Sequence, residues 1–155
     1  MHSVSTYLID GHNLLYAARQ SFLDHLVDGH PGTAAREELV RRLMTAFIDP
    51  GHAVFLYFDG SETKTEIRSD QVQVIYPGGA GDQRADAAIL KHVSQLMAAG
   101  IGGRDGDRTR IIVVTRDLKL ARRARKCGAD VMAPGEFLDV NALSIAIPAQ
   151  RHSAS

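Results

Sequence analysis

Tyr7-Leu8-Ile9 is a short apolar run that stops at Asp10-Gly11. Leu14, Leu15, Ala18, Phe22 and Leu26 then recur at helical spacing, so a buried strand is predicted to feed a first helix. Asp28-Gly29-His30-Pro31-Gly32 breaks the pattern. Leu39, Val40, Leu43, Met44, Phe47 and Ile48 next trace an amphipathic stripe that ends at Asp49-Pro50-Gly51, a second helix. Ala53 to Phe58 is continuously apolar and predicts a central strand ending at Asp59-Gly60. Val72 to Tyr76 alternates more, ends at Pro77-Gly78-Gly79, and predicts an edge strand. A third helix is expected from an N-cap at Asp82 to about Ala99, and the Gly-rich, charged stretch 101–110 reads as a mobile loop. Ile111 to Val114 predicts another fully buried strand. A fourth helix then runs through Cys127 with Gly128 as its breaker, followed by a short strand at Asp130 to Met132 and a last helix opened by Pro134. Strands alternating with helices long enough for crossovers predict an α/β sandwich with a mostly parallel sheet.

The 155 residues suit one globular domain, expected over residues 1–147 with a flexible polar tail at 148–155. Eighteen Lys+Arg against eighteen Asp+Glu leave no global field for polyanions, so nucleic-acid contact has to be local. The single cysteine, Cys127, excludes a disulfide scaffold and a structural zinc site. The opening MHSVSTYLIDGHN reaches polar residues too soon for a secretory signal or a membrane span, and a cytoplasmic location is expected.

Three predicted strands deliver an aspartate at or just beyond their carboxyl ends: Asp10, Asp59 and Asp117. In a parallel sheet those ends share one edge, where ligands bind at the point of strand-order reversal. Taken singly, each reads first as a turn or helix-cap residue. Asp86 carries more information, because it lies three and four residues before Ile89 and Leu90 and so heads the core-facing stripe of its helix. A carboxylate turned that way needs a partner, a hydrogen bond or a metal, with Arg84 or Arg122 as the purely structural partners. Four converging carboxylates repel one another unless a cation intervenes, and hard oxygen donors select Mg²⁺ or Mn²⁺ over zinc. The expected product is a divalent-metal site for phosphoryl chemistry with water as nucleophile.

YLIDGHNLL, VFLYFDG, GDQRADAAILKHV and VVTRDLKLARRARKCGADVM, in this order, resemble the YacP-like branch of the NYN group of PIN-like nucleases, over roughly residues 4 to 143. The resemblance implies a PIN-like three-layer α/β/α sandwich with a central parallel sheet, a Mg²⁺ or Mn²⁺ cluster and endoribonuclease activity. By position it implies catalytic roles for Asp10, Asn13, Asp59, Asp86 and Asp117, with the four aspartates as metal ligands. His12 departs from the aromatic that many relatives carry. The Gly-rich PGGAGDQ leaves Asp82 open, first as an N-cap and second as a further metal or water ligand.

Nine basic residues (Arg104, Arg108, Arg110, Arg116, Lys119, Arg122, Arg123, Arg125, Lys126) meet three acidic ones between Arg104 and Lys126. This patch lies beside the Asp117 end of the acidic group and suits phosphates that flank the scissile one, the alternative being a solvated helix face. Arg116 and Lys119 are the leading RNA contacts, with Arg84 and Arg122 as further candidates. No tryptophan is present and no aromatic ladder for bases is visible, and none of the seven histidines is given a catalytic role. The leading expectation is a metal-dependent endoribonuclease acting on single-stranded or loop RNA, without membrane contact. A noncatalytic RNA- or protein-binding module, a phosphatase-like enzyme or DNA-directed nuclease using the same carboxylates, and a homodimeric state are left open.

Overall fold

The computed structural model describes residues 4–79, 84–100 and 109–144. Strand β1 (Val4–Asp10) lies inside a six-stranded sheet, paired in parallel with β4 (Ala53–Tyr57) on one side and β7 (Thr109–Val114) on the other. Beyond β4 come β6 (Val72–Tyr76), parallel, and β5 (Lys64–Ile67), antiparallel. Beyond β7 comes β8 (Asp130–Met132), parallel. The order β5-β6-β4-β1-β7-β8 means that the chain builds outward from β1 on one side and then returns to build on the other. The reversal falls between β1 and β7, and Asp10 ends β1 there.

Strand alternation divides the core into two layers. Tyr7, Ile9, Val54, Leu56, Ile112 and Val114 face helices α1 (Gly11–Ala17), α2 (Thr33–Ala46) and α5 (Pro134–Val140), which supply Leu14, Leu39, Leu43, Phe137 and Leu138. Leu8, Tyr57, Ile111 and Val113 face α3 (Arg84–Ala98) and α4 (Leu118–Lys126), which supply Ala85, Ile89, Val93, Leu120 and Ala124. The molecule is thus a three-layer α/β/α sandwich with a mostly parallel sheet. Gly128, at φ +103°, ends the fourth helical stretch as expected, since left-handed backbone is costly for residues with a Cβ.

Three expectations are corrected. Val72–Tyr76 is not the edge strand, because KTEI pairs outside it. The polar composition of that segment hides it from a hydrophobic pattern, and Lys64 and Glu66 give it the charges expected of an exposed edge. The first helix does not run on to Leu26. It stops at Ala17 and gives way to a 3-10 segment (Arg19–His25), in which buried Phe22 has non-helical backbone angles. The cause is tertiary. The Arg42 guanidinium, 2% exposed, stacks 4.2 Å over Phe22, donates to the Ser21 carbonyl (2.8 Å) and is held by Glu38 (2.7 Å). After that segment, Asp28 and Gly29, both at positive φ, turn a small hairpin of β2 (Leu26–Val27) and β3 (His30–Pro31), so the expected break is a structured turn. Finally, α2 ends before Ile48, which is 70% exposed and not part of the buried stripe. The expected N-cap Asp82, most of the 101–110 loop and the 148–155 tail lie outside the described residues.

Candidate active site

The register Ile9↔Val114 and Asp10↔Tyr57 brings Asp10, Thr115 and the Phe58-Asp59 turn to one edge of the sheet. Gly11 is required there, since a Cβ would sit 2.4 Å from the Phe58 ring and 2.7 Å from the Tyr57 carbonyl. Asp59 Oδ1 accepts from the Ala85 amide (2.8 Å), which ties the end of β4 to the start of α3, the helix that carries Asp86. Asp117 Oδ1 accepts from the Lys119 (2.8 Å) and Leu120 (3.2 Å) amides as the N-cap of α4. Asp10, 8% exposed, accepts from the Thr115 hydroxyl (3.3 Å).

Neighbouring carboxylates act on Asp10 and on Asp86. Burial, then Asp86, push the Asp10 carboxyl up to about 7, against the opposing pull of the Asn13 backbone amide and the Thr115 hydroxyl, with Asp59 adding the smallest upward push. Asp86 is likewise raised, by burial and by Asp117 and Asp59, and is moderated by Arg123 and Lys119. Asp86 sits at the margin of the buried line Ala85, Ile89, Val93 and not at its head, and is half-buried. Among the described residues it has no ion-pair partner, neither Arg84 nor Arg122.

Asn13 does not cap its own helix. Its Oδ1 accepts from the Arg116 amide (2.6 Å), with the Thr115 hydroxyl at 3.5 Å, and so clamps α1 to the loop between β7 and α4. Thr115, 2% exposed, also accepts from the Asp117 amide (3.1 Å) and links Asp10 to Asp117. Thr115 was not singled out from sequence, although it stands two residues before Asp117 in the stretch VVTRDLK. His12 lies edge-on to Phe58, and burial and Arg36 hold its ring below the ordinary histidine range.

Of the basic candidates, Lys119 lines a groove of about 350 Å³ between α3 and α4 with Asp86, Ala87, Leu90, Leu120 and Arg123. Arg123, one turn after Lys119, was not singled out from sequence, and Arg122 does not line this groove. Arg84 donates to the Gly78 carbonyl (3.2 Å) and lies against Gly79, so it fastens the end of the β6 loop. Arg116 is exposed at the edge beside Asn13. Asp82 lies outside the described residues.

The donor chemistry fits a hard divalent cation: carboxylate oxygens on one edge, mutually repelling, with Asp10 buried. Coordination geometry is not preformed, because among the described residues no three His, Cys, Asp or Glu side chains are grouped closely enough to hold a metal.

The family profile of the YacP-like NYN domain matches residues 7–150, which covers every element of this site. The chain belongs to the YacP-like NYN domain family. Two solved structures are similar in fold. One is Rae1 (YacP) from Bacillus subtilis as a W164L mutant, with TM-score 0.63, 23% identity, 90% of this chain and 75% of that chain. The other is Rae1 (YacP) from Bacillus subtilis, with TM-score 0.57, 22% identity, 99% of this chain and 79% of that chain. No match was found among curated proteins. Among the described residues, no helix of this NYN domain is long and apolar enough to cross a membrane.

Proposed function

We propose that this NYN domain is a metal-dependent endoribonuclease of the cytoplasm that hydrolyses phosphodiester bonds in single-stranded or loop RNA. The observation that carries the reading is the acidic edge at the strand-order reversal, where Asp10 is raised by Asp86 and Asp59 and Asp86 by Asp117 and Asp59, in a chain of this family. Asp10, Asp59, Asp86 and Asp117 would hold Mg²⁺ or Mn²⁺, with Asp82 as a further candidate. When bound, the metal supplies charge neutralisation at the scissile phosphate and activation of the attacking water. Thr115 and Asn13 fix the positions of Asp10 and of the Arg116–Asp117 loop. Lys119 and Arg123 offer cations to the neighbouring phosphate in the groove beside Asp86, and Arg116 to another.

A noncatalytic RNA- or protein-binding module is the second reading. It is favoured by the bonding of Asp59 and Asp117, each of which accepts helix-start amides that any scaffold of this shape needs filled.

Labelled RNA and DNA oligonucleotides incubated with Mg²⁺, Mn²⁺ or EDTA decide between the two. Internal cleavage of RNA that needs the metal and drops by orders of magnitude in Asp10→Asn is expected. RNA binding without cleavage under either metal supports the module, and equal cleavage by wild type and Asp10→Asn places the chemistry elsewhere.

A further inference from the structure

On the other side of the Arg116 loop from Lys119 lies a second groove, of about 490 Å³, between the end of α1, the 3-10 segment and α5. Its volume is that of a small-ligand site. Tyr16, Arg19, Gln20, Arg116 and Asp139 are among its walls. Tyr16 is 47% exposed, with its ring tilted toward His30 at 6.4 Å, in a chain with few aromatics to spare for the surface. Arg19 lines the groove and donates to the Gly29 carbonyl (3.3 Å) in the turn between β2 and β3. Asp139, bonded by the Ser144 hydroxyl (2.9 Å), places an acceptor on the α5 wall.

A groove lined by an exposed aromatic ring and two arginines suits a planar ring attached to an anion. Arg116 lines this groove and its chain neighbours Thr115 and Asp117 belong to the acidic edge, so the groove lies beside that edge, within the span of one extended strand. We propose that the groove is a nucleotide subsite of the RNA path. A base next to the scissile phosphate stacks on Tyr16, its phosphate lies on Arg19 and Arg116, and Asp139 accepts from a donor on the base or ribose. The proposal rests on RNA being the ligand of the acidic edge and adds what selects the strand beside it.

The test uses a fluorescent 12-nucleotide single-stranded RNA in EDTA, read by anisotropy. Tyr16→Ala is expected to weaken binding about tenfold, and Tyr16→Phe to bind like wild type. The chain contains no tryptophan, so Tyr16→Trp reports from this one position, and its emission is expected to fall saturably as RNA is added. An abasic site moved along the RNA should find one position that costs the wild type about tenfold and costs Tyr16→Ala nothing further. Unmoved emission of Tyr16→Trp at saturating RNA, or equal affinities of wild type and Tyr16→Ala, overturns the subsite. Parallel cleavage assays keep the two readings apart. Stacking without cleavage keeps the subsite and removes the nuclease, cleavage without stacking does the reverse, and absence of RNA binding by the wild type removes both.

Discussion

Replacing Asp10 with Asn removes one charge from a buried group that faces Asp86 and Asp59, and keeps an oxygen for the Thr115 hydroxyl. The Asp10 carboxyl is pushed from an ordinary 3.8 up to about 7 in the folded protein. At each pH between these values the folded state keeps a proton that the unfolded chain has released. The stability tied to this group is therefore full below about pH 4 and declines as pH rises through about 7. The total loss is about 4 kcal/mol at pH 8, and well under half of it has occurred by pH 5. The Asn side chain does not titrate, so the stability of Asp10→Asn relative to wild type should grow by about 3 kcal/mol from pH 5 to pH 8. Urea unfolding of both proteins in EDTA at the two pH values, fitted with a common m-value, measures it. A difference that is the same at pH 5 and pH 8 would refute the claim that Asp10 is a repelled, buried carboxylate. A loss of stability at pH 8 would show instead that the charge is favourably bonded.

Mg²⁺ or Mn²⁺ should raise the melting temperature more at pH 8 than at pH 5, by a stabilisation of about 2.7 kcal/mol at a hundredfold excess over Kd, because protons compete for the carboxylates. Asp86→Asn should lose most of that shift while being no less stable in EDTA, and an unchanged shift in scanning calorimetry removes Asp86 from the ligand set. Arg116→Ala with Lys119→Ala should flatten the log-log salt dependence of RNA binding by about 1.4, roughly 0.7 for each phosphate that is no longer neutralised, and leave turnover at saturating RNA nearly unchanged. A large fall in turnover would place these side chains at the reacting phosphate. Asn13→Ala should cost about 1 kcal/mol by leaving the Arg116 amide without its acceptor, and should lower kcat more than it raises KM. A change in KM alone would make Asn13 a substrate contact and not a clamp.

The sheet was legible because its inner strands are near-continuous apolar runs closed by Asp-Gly, Asp-Gly and Thr-Arg-Asp, a pattern that follows from burial on both faces. The acidic edge was legible for the same reason, since strand ends in a parallel sheet share a side. What escaped depended on tertiary partners. Nothing local in KTEI signals a strand until β6 offers it an edge to pair with. The helical spacing from Leu14 to Leu26 is real, but Arg42, distant in sequence, takes the Ser21 carbonyl and converts the second half to a 3-10 turn. Arg123 was hidden among like neighbours, because which basic side chains of α4 face α3 depends on how that helix is rotated, and Lys119 and Arg123 share the face that reaches Asp86.

The capping roles of Asp59 and Asp117 do not by themselves explain why aspartate stands at all four positions. Serine or asparagine fills a helix start about as well and adds no charge, so a fold that needed only capping had neutral choices at both. Asp10 makes the contrast sharper, because the backbone amide of Asn13 and the Thr115 hydroxyl favour its ionised form and burial and the neighbouring Asp86 and Asp59 still oppose it. Helix starts behind Asp59 and Asp117 carry partial positive charge that favours those two carboxylates where they sit. Asp10 immediately precedes α1 and Asp86 lies in the first turn of α3, so helix starts favour these two as well, yet burial and neighbouring carboxylates still drive both carboxyls upward. A cost concentrated at the strand-order reversal, which the fold itself does not require, is what a site organised around a positive ligand entails, and it favours the catalytic reading over the bare module.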